Sequence, residues 1–451
     1  MPLPVLAMML CTFCIGTAES VVAGILPAVA DDVGVSLTSV GLLISVYAVA
    51  VVLVGPLLTA ATLRVRRALL MPGLMGVFVL GNTVAALAPD FRWLVVGRVV
   101  SALGHSTLIA AFVAAARDLA PEGHRSAWGA KITLGIGLSS VAGVPAGTLI
   151  GELLGWRATF WSLAALSLAA TLLLVRGRLP DPAPTTDSGT GTASPRSPRS
   201  SIRRLTLLLP VPLLLVALVI TLGTGGVFAL YTYASPYLTE AAGFGSGAVT
   251  VLLLLYGAGG IVGNTLGGRA ADRSPLRAVL VTLGAAAVCL FLLALLPGSR
   301  ATVAVLFCLL GAAYFATIPA LNTRTVAAAG NTSPTMALTL NNSAFCVGIA
   351  LGSWLGGLLL AHGRALPSVA WAGAALTTTA LLLAALGSAR RDSRNRRSGN
   401  HDHDGGRTGR DHAPRPTPAA VEREVPEAAG HAEGAPAPHL RAKAPSACRL
   451  P

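Results

Sequence analysis

The sequence predicts an all-α membrane protein, with twelve transmembrane helices in two six-helix, pseudo-symmetric bundles. Three observations predict it. The chain is 53% hydrophobic and only 12% charged, where a soluble globular chain carries about 25% charged residues. Its apolar residues gather in twelve runs of spanning length, a bilayer core needing about 20 helical residues. A polar stretch divides those runs six and six. The net charge of +14 does not point to nucleic acid, because the basic residues sit between the apolar runs and in the tail.

The runs lie near 5–28, 38–62, 68–88, 93–117, 129–150, 157–175, 206–234, 246–267, 277–297, 301–322, 336–360 and 366–388. Residues 1–175 form the first half. Residues 176–204, rich in Pro, Ser, Thr and Gly, read as a flexible cytoplasmic linker. Residues 205–389 form the second half, and 390–451 a disordered tail too poor in large apolar residues to bury a core. Repeat-built transporters have two such halves and place their site between them near the midplane. An internal echo supports the repeat: GPLLTAATLRVRR (55–67) and GNTLGGRAADRS (263–274) both set glycine near a helix end and arginines after it.

Loops after even-numbered runs carry sixteen Lys and Arg, against four (Arg92, Arg157, Arg300, Arg364) after odd-numbered runs. This bias predicts a cell-membrane protein with both termini, linker and tail in the cytoplasm. No Lys or Arg precedes the first run, which is therefore expected to be a retained helix rather than a cleaved signal.

The first run, VLAMMLCTFCIGTAESVVAGILPA, holds one carboxylate, Glu19. A charge at mid-depth costs at least ~2.5 kcal/mol, so Glu19 is expected to face a cavity and to have a function there; pairing with a neighbouring helix is the plainer alternative. In a cavity of low dielectric the charged form of a carboxylate is disfavoured, and such a group can load and release a proton near neutral pH. Cys11-x-x-Cys14 in the same run reads as two core thiols rather than a redox or metal pair.

The other charge well inside an apolar run is Arg98, in the fourth. Arg98, Ser101, Ala102 and His105 recur at i, i+3, i+4 and i+7, one helical face of small and polar residues that suits a cavity wall. His105 can protonate or simply hydrogen-bond within the bundle. In the fifth run, Gly143, Gly147 and Gly151 repeat every four residues and admit a close helix neighbour. Pro145 between them predicts a kink. In the second half, Tyr231 and Asn341 are candidates for the cavity, along with Tyr233, Tyr256, Tyr314 and Asn322; interhelical hydrogen bonding is their plainer role. No acid lies within the spans of that half, so proton coupling is expected to rest on the first.

Four stretches carry a family resemblance: FCIGTAESVVAGILPAVADDVGVS (13–36), WLVVGRVVSALGHSTLIAAFVAAARDLAP (93–121), GIGLSSVAGVPAGTLIGELLGWRATFW (135–161) and GNTLGGRAADR (263–273). Through them residues 1–390 resemble the major facilitator superfamily, in its twelve-helix drug:proton antiporter branch, and are similar to exporters of the chloramphenicol-resistance and arabinose- or nucleoside-efflux type. The resemblance implies proton coupling at Glu19, with Arg98 near the substrate and proton site; with the residues read above, the expected substrate cavity includes Glu19, Arg98, Ser101, His105, Tyr231 and Asn341. It implies an antiporter motif for packing and gating at Gly143, Pro145, Gly147 and Gly151. It also implies a cytoplasmic loop signature at Gly263, Gly267, Arg269 and Asp272, with charge pairs across the cytoplasmic mouth. Two positions depart from it: Ser20, where relatives often carry an aromatic residue, and Thr59, where the loop motif has aspartate.

The expected function is efflux of a small, partly apolar compound, such as a chloramphenicol-like antibiotic, in exchange for protons. A sugar, nucleoside or endogenous secondary metabolite is the alternative cargo, and a non-transporting receptor the alternative class. No nucleophile with a base, paired catalytic carboxylates, phosphate loop or convincing metal cluster points to an enzyme or a cofactor, the His401–Asp404 run included. The expected partners are a small-molecule substrate, protons and the lipid bilayer, with the protein a monomer.

Overall fold

The computed structural model describes residues 2–62, 65–121, 125–177, 210–329 and 334–404. By their contacts, Met1–Arg394 form one unit and Asn395–Pro451 another. Twelve helices among the described residues are long and apolar enough to cross a membrane, and those residues contain no strand. In the first half they are α1 (Leu3–Ser20, continued as Val22–Val33), α2 (Leu37–Thr62), α3 (Arg67–Ala86), α4 (Phe91–Ala102, continued as His105–Asp118), α5 (Arg125–Leu138, a π-turn at Ser139–Gly143, then Val144–Leu154) and α6 (Trp156–Arg176). The second half contains α7 (Val211–Tyr231, extended by Ala234–Pro236 and a π-turn at Tyr237–Ala241), α8 (Ser246–Arg273), α9 (Pro275–Leu295), α10 (Arg300–Ala328), α11 (Pro334–Ala361) and α12 (Pro367–Asp404). Pro2, Arg176 and Gly387 lie at one end of the bundle, the terminal end; Val33, Gly155 and Ala361 lie at the other, the far end.

Local chemistry sets several helix ends. Asp90 caps α4, its Oδ1 accepting from the Arg92 and Trp93 amides at 2.9 and 3.1 Å. Gly155, at φ +88°, turns α5 directly into α6, a backbone that a side chain would strain. The spans are apolar all round, as a helix packed on protein on one side and lipid on the other must be. Leu53, Leu69, Val281 and Leu386 are all more than half exposed.

The polarity change near residue 389 does not end α12, which continues to Asp404. The sequence there runs SARRDSRNRR (388–397), mostly tolerant of helix, and the first double glycine is Gly405-Gly406. A drop in hydrophobicity ends the membrane crossing without ending the helix. The expected linker lies almost wholly in 178–209, and the rest of the tail in 405–451, outside the described residues.

Burial differs between the two ends. Toward the far end one apolar cluster joins both halves, with Val22, Leu26, Val40 and Tyr47 from the first and Tyr233, Leu252 and Phe307 from the second. Toward the terminal end burial separates into a first-half cluster around Met8, Phe78 and Ile132 and a second-half cluster around Leu213, Val279 and Ala384.

A polar staple holds the far end of the first half. Trp156 Nε1 donates to Asp32 Oδ2 at 3.0 Å, and Arg157 pairs with the same oxygen. Arg157 also stacks over the Trp156 ring, 4.2 Å from its centroid, and donates to the Ala88 carbonyl at 3.2 Å. Three connections are thereby tied at one point. The Arg157 guanidinium, helped by Trp156, holds the Asp32 carboxyl below the usual carboxylate range. The folded pKa is depressed, so this contribution is present above the unfolded value of about 3.9 and is lost as pH falls through the folded one. Both partners are partly exposed, so the contribution is modest. Thermal unfolding in detergent is expected to give Asp32→Asn a slightly lower midpoint at pH 7 and a shallower further fall below about pH 4 than the parent.

Candidate functional site

The site forms where three helices of the first half lose regularity. α1 is interrupted at Val21, α4 at Leu103–Gly104, and α5 carries its π-turn at Ser139–Gly143. Each irregularity lies about a dozen residues from the far end, roughly 18 Å at 1.5 Å per residue, which is near mid-depth. Irregular backbone at this depth persists where it lines a cavity or is covered by protein.

Arg98 exploits the break in α1. Its Nη1 donates to the Ala18 carbonyl at 2.5 Å and its Nη2 to the Glu19 carbonyl at 3.4 Å. These are carbonyls of the last turn before the interruption, where the helix ladder leaves acceptors free and the negative end of the segment dipole favours a cation. Beyond the break, the Gly24 amide bonds to the Val21 carbonyl, a tighter i−3 contact. Arg98 is fully buried, and its guanidinium lies 4.3 Å from the Tyr47 ring centroid. Tyr47, itself fully buried, shares a 3.0 Å hydrogen bond between its hydroxyl and His105 Nδ1. A desolvated cation over an aromatic face gains about 2 kcal/mol. Arg98 Nε is buried with no hydrogen-bond partner.

Glu19 is half-buried. Its carboxylate lies within electrostatic reach of Arg98 and Tyr47 in its own half and of Tyr314 of α10 and Cys346 of α11 in the other. Among the described residues it is the half-accessible carboxylate at this depth, and groups of both halves lie within its reach. Arg98 reaches the α1 backbone rather than forming an ion pair with the carboxylate. The opposing wall is aromatic. Tyr314 lies against Phe228 and Phe315, with centroids 6.0 and 5.3 Å apart. Behind it the buried Tyr231 stacks on Tyr256 at 4.8 Å.

The other expected residues divide into those at the site and those away from it. Ser101 is buried with its hydroxyl on the Arg98 carbonyl at 3.0 Å. The single face expected for Arg98, Ser101, Ala102 and His105 is interrupted, because His105 opens the second segment of α4 after Gly104. It still joins Arg98, through Tyr47. Asn341 lies in an interhelical network: Thr325 donates to its Oδ1 at 2.8 Å and its Nδ2 donates to Asn322 Oδ1 at 2.7 Å.

Gly143, Gly147 and Gly151 lie directly on α1. A Cβ added to them would fall 2.0 Å from Thr17 Oγ1, 2.5 Å from Val21 and 2.6 Å from Ile25 respectively. The stripe thus runs alongside Glu19 and the α1 break, with Pro145 buried in the first turn after the π-turn. Gly263 and Gly267 pack just as closely on the backbone of α10, at Ala312 and Ala316. Arg269 and Asp272 are exposed and form no ion pair among the described residues in this state. At exposed positions water competes with the pair. Among the described residues an ion pair at the terminal end joins Arg67 to Asp118 at 2.5 Å in the first half, while Thr59 bonds Thr107 at 2.8 Å in place of the missing aspartate.

The signature of the Major Facilitator Superfamily matches residues 8–348. The chain belongs to the major facilitator superfamily. The transporter is 34% identical to the MFS-type transporter YtbD of Bacillus subtilis, over 84% of this chain and 93% of that one. It is 34% identical to the inner membrane transport protein YdhP of Escherichia coli strain K12, over 84% and 94%. It is 33% identical to a chloramphenicol resistance protein of Streptomyces lividans, over 85% and 96%. Among solved structures it superposes on a bacterial homologue of the human lysosomal transporter Spinster, inward-facing and unoccupied, with a TM-score of 0.61 at 17% identity, covering 85% of this chain and 93% of that one. The transporter's Tyr47 and Cys346 were not singled out from sequence. Tyr47 is an aromatic residue in an apolar run, and only the fold shows that Arg98 lies over it.

Proposed function

We propose that this transporter exports a small, partly apolar compound across the cell membrane in exchange for protons, by alternating access of a site centred on Glu19. The observation that carries this reading is a half-buried carboxylate at mid-depth, within electrostatic reach of residues of both halves and next to a fully buried arginine. Protonated, Glu19 is itself neutral and leaves Arg98 as the charge of the site; ionised, it favours a substrate offering a hydrogen-bond donor or positive charge, with Tyr314 beside the apolar part. Competition of proton and substrate for one carboxylate is sufficient for exchange. Each proton charge supplies roughly 2.3 kcal/mol per 100 mV, enough to drive more than a tenfold gradient of a neutral substrate.

The arginine-rich loops support a cytoplasmic position for the terminal end and both termini. The joined far-end cluster then closes the outer side, and the split clusters lie around an inward-opening mouth. The likeness to the Streptomyces lividans chloramphenicol resistance protein supports an antibiotic as cargo. A growth-inhibition panel in a host lacking its own pumps tests this. Expression is expected to raise the tolerated concentration of chloramphenicol-like compounds, and an uncoupler to restore cellular accumulation. No protection against any compound, with the protein present in the membrane, would overturn it.

A further inference from the structure

We propose that Tyr47 and His105 are positioning residues that hold Arg98 off the Glu19 carboxylate and so leave that acid free to take up and release a proton, a role that rests on Glu19 being the exchanged acid of the proposed function. A guanidinium beside a carboxylate ordinarily closes on it in a bidentate fork. Arg98 passes over the carboxylate within its reach. Its Nη1 and Nη2 go to the Ala18 and Glu19 carbonyls, and its buried Nε has no hydrogen-bond partner. A buried donor left unmet is unfavourable. The placement is therefore imposed by the surroundings of the arginine.

The neighbour on its face is Tyr47 of α2, with the guanidinium carbon 4.3 Å from the ring centroid. The ring is fixed in turn. Its hydroxyl shares a 3.0 Å hydrogen bond with His105 Nδ1, and the two rings meet edge-on with centroids 5.7 Å apart. Arg98, Tyr47 and His105 are all buried. His105 opens the second segment of α4, so the brace leaves α4 at Arg98, crosses Tyr47 and returns to α4. Its members and its α1 acceptors belong to the first half, and tilting of one half against the other leaves it intact. Of the groups within electrostatic reach of Glu19, Tyr47, Tyr314 and Cys346 are uncharged at pH 7 at their reference values, and Arg98 is the charged one. α5 and α6, which also pack on α1, carry their charges near their ends, at Arg125, Lys131, Glu152, Arg157 and Arg176. Where this one cation sits thus governs how readily the acid ionises.

Infrared difference spectroscopy on the full-length protein in lipid vesicles supplies the test and needs no substrate. The protonated carboxyl stretch of Glu19, assigned as the band lost in Glu19→Gln, is followed against pH. In Tyr47→Leu, which removes ring and hydroxyl, Arg98 is expected to close on the carboxylate. The band then falls to half its height about one pH unit lower than in the parent, tenfold in proton concentration and the low end of what a neighbouring arginine does to a carboxylate. Tyr47→Phe, which keeps the ring and its packing, and His105→Leu are expected to shift the midpoint less and in the same direction. His105→Asn, whose amide overlays the Nδ1 edge of the imidazole, is expected to recover most of the parent midpoint. All variants are compared as folded, monodisperse species. An unchanged or raised midpoint in Tyr47→Phe and His105→Leu would overturn the proposal. Equal shifts in His105→Asn and His105→Leu would overturn it too, by assigning the effect to the titration of the histidine. A parent with no band that Glu19→Gln removes would overturn Glu19 as the exchanged acid and this role with it, a result distinct from a titrating band that fails to move.

Discussion

Glu19→Gln is expected to abolish export driven by a pH gradient while leaving membrane insertion and the fold intact. Glutamine keeps the length, shape and hydrogen-bonding capacity of the side chain and removes only its titration. The surroundings tolerate that change, since among the described residues no ion pair ties the carboxylate, and Arg98 is held by the Ala18 and Glu19 carbonyls, which the substitution leaves in place. Reconstituted vesicles with an imposed pH gradient supply the measurement. The variant's active transport is expected to fall to the level of protein-free vesicles, whereas exchange of labelled for unlabelled substrate without a gradient persists. Glu19→Asp is expected to retain part of the coupled activity, because the proton site survives with a shorter reach. Full drug resistance in cells carrying Glu19→Gln would remove Glu19 from the mechanism.

The fold was legible because the bilayer leaves a chain few choices: helices must satisfy their own backbone, so spanning apolar runs become spans. The two charges inside such runs pointed to the site for the same reason, as each demands protein or water around it. What the sequence left open was how those charges are satisfied. A pair between Arg98 and Glu19 was equally compatible with the sequence; instead Arg98 takes backbone carbonyls exposed by a one-residue interruption at Val21, which periodicity does not register because the helix resumes in nearly the same direction. Tyr47 is another such case, its partner Arg98 being fifty-one positions away and its role fixed by tertiary packing. The glycine stripe was readable as a close contact but not as a contact with α1 in particular. Asp272, a charge with a motif around it, sits exposed and makes no ion pair among the described residues.

The second large effect concerns closure of the far end. Tyr233 of α7 is fully buried and lodges between the halves. Its hydroxyl donates to the Ser353 carbonyl at 3.1 Å, and a Cβ on Gly41 of α2 would fall 2.2 Å from that hydroxyl. Nearby, Thr38 donates to the Gly357 carbonyl at 3.1 Å and Ser45 to the Ala350 carbonyl at 3.0 Å, both joining α2 to α11. Gly41 is thus the socket for the Tyr233 ring, and the closed state depends on its having no side chain. In Gly41→Val the ring must move or α2 must withdraw, an overpacking cost of about 1–3 kcal/mol. The two α2–α11 hydrogen bonds, about 1 kcal/mol each, weaken with it. The state closed at the far end is then disfavoured by roughly 2 kcal/mol, about thirtyfold in its population relative to the open one. Ala234, fully buried beside Tyr233, supplies the reporter: in an Ala234→Cys background, labelling by a membrane-impermeant thiol reagent from the far side is expected to rise with Gly41→Val and to stay low with Tyr233→Phe, which keeps the ring. Transport should fall in Gly41→Val even with Glu19 untouched, because exchange requires both states to be visited. Unchanged labelling would mean that the far end opens elsewhere than at the Tyr233 socket.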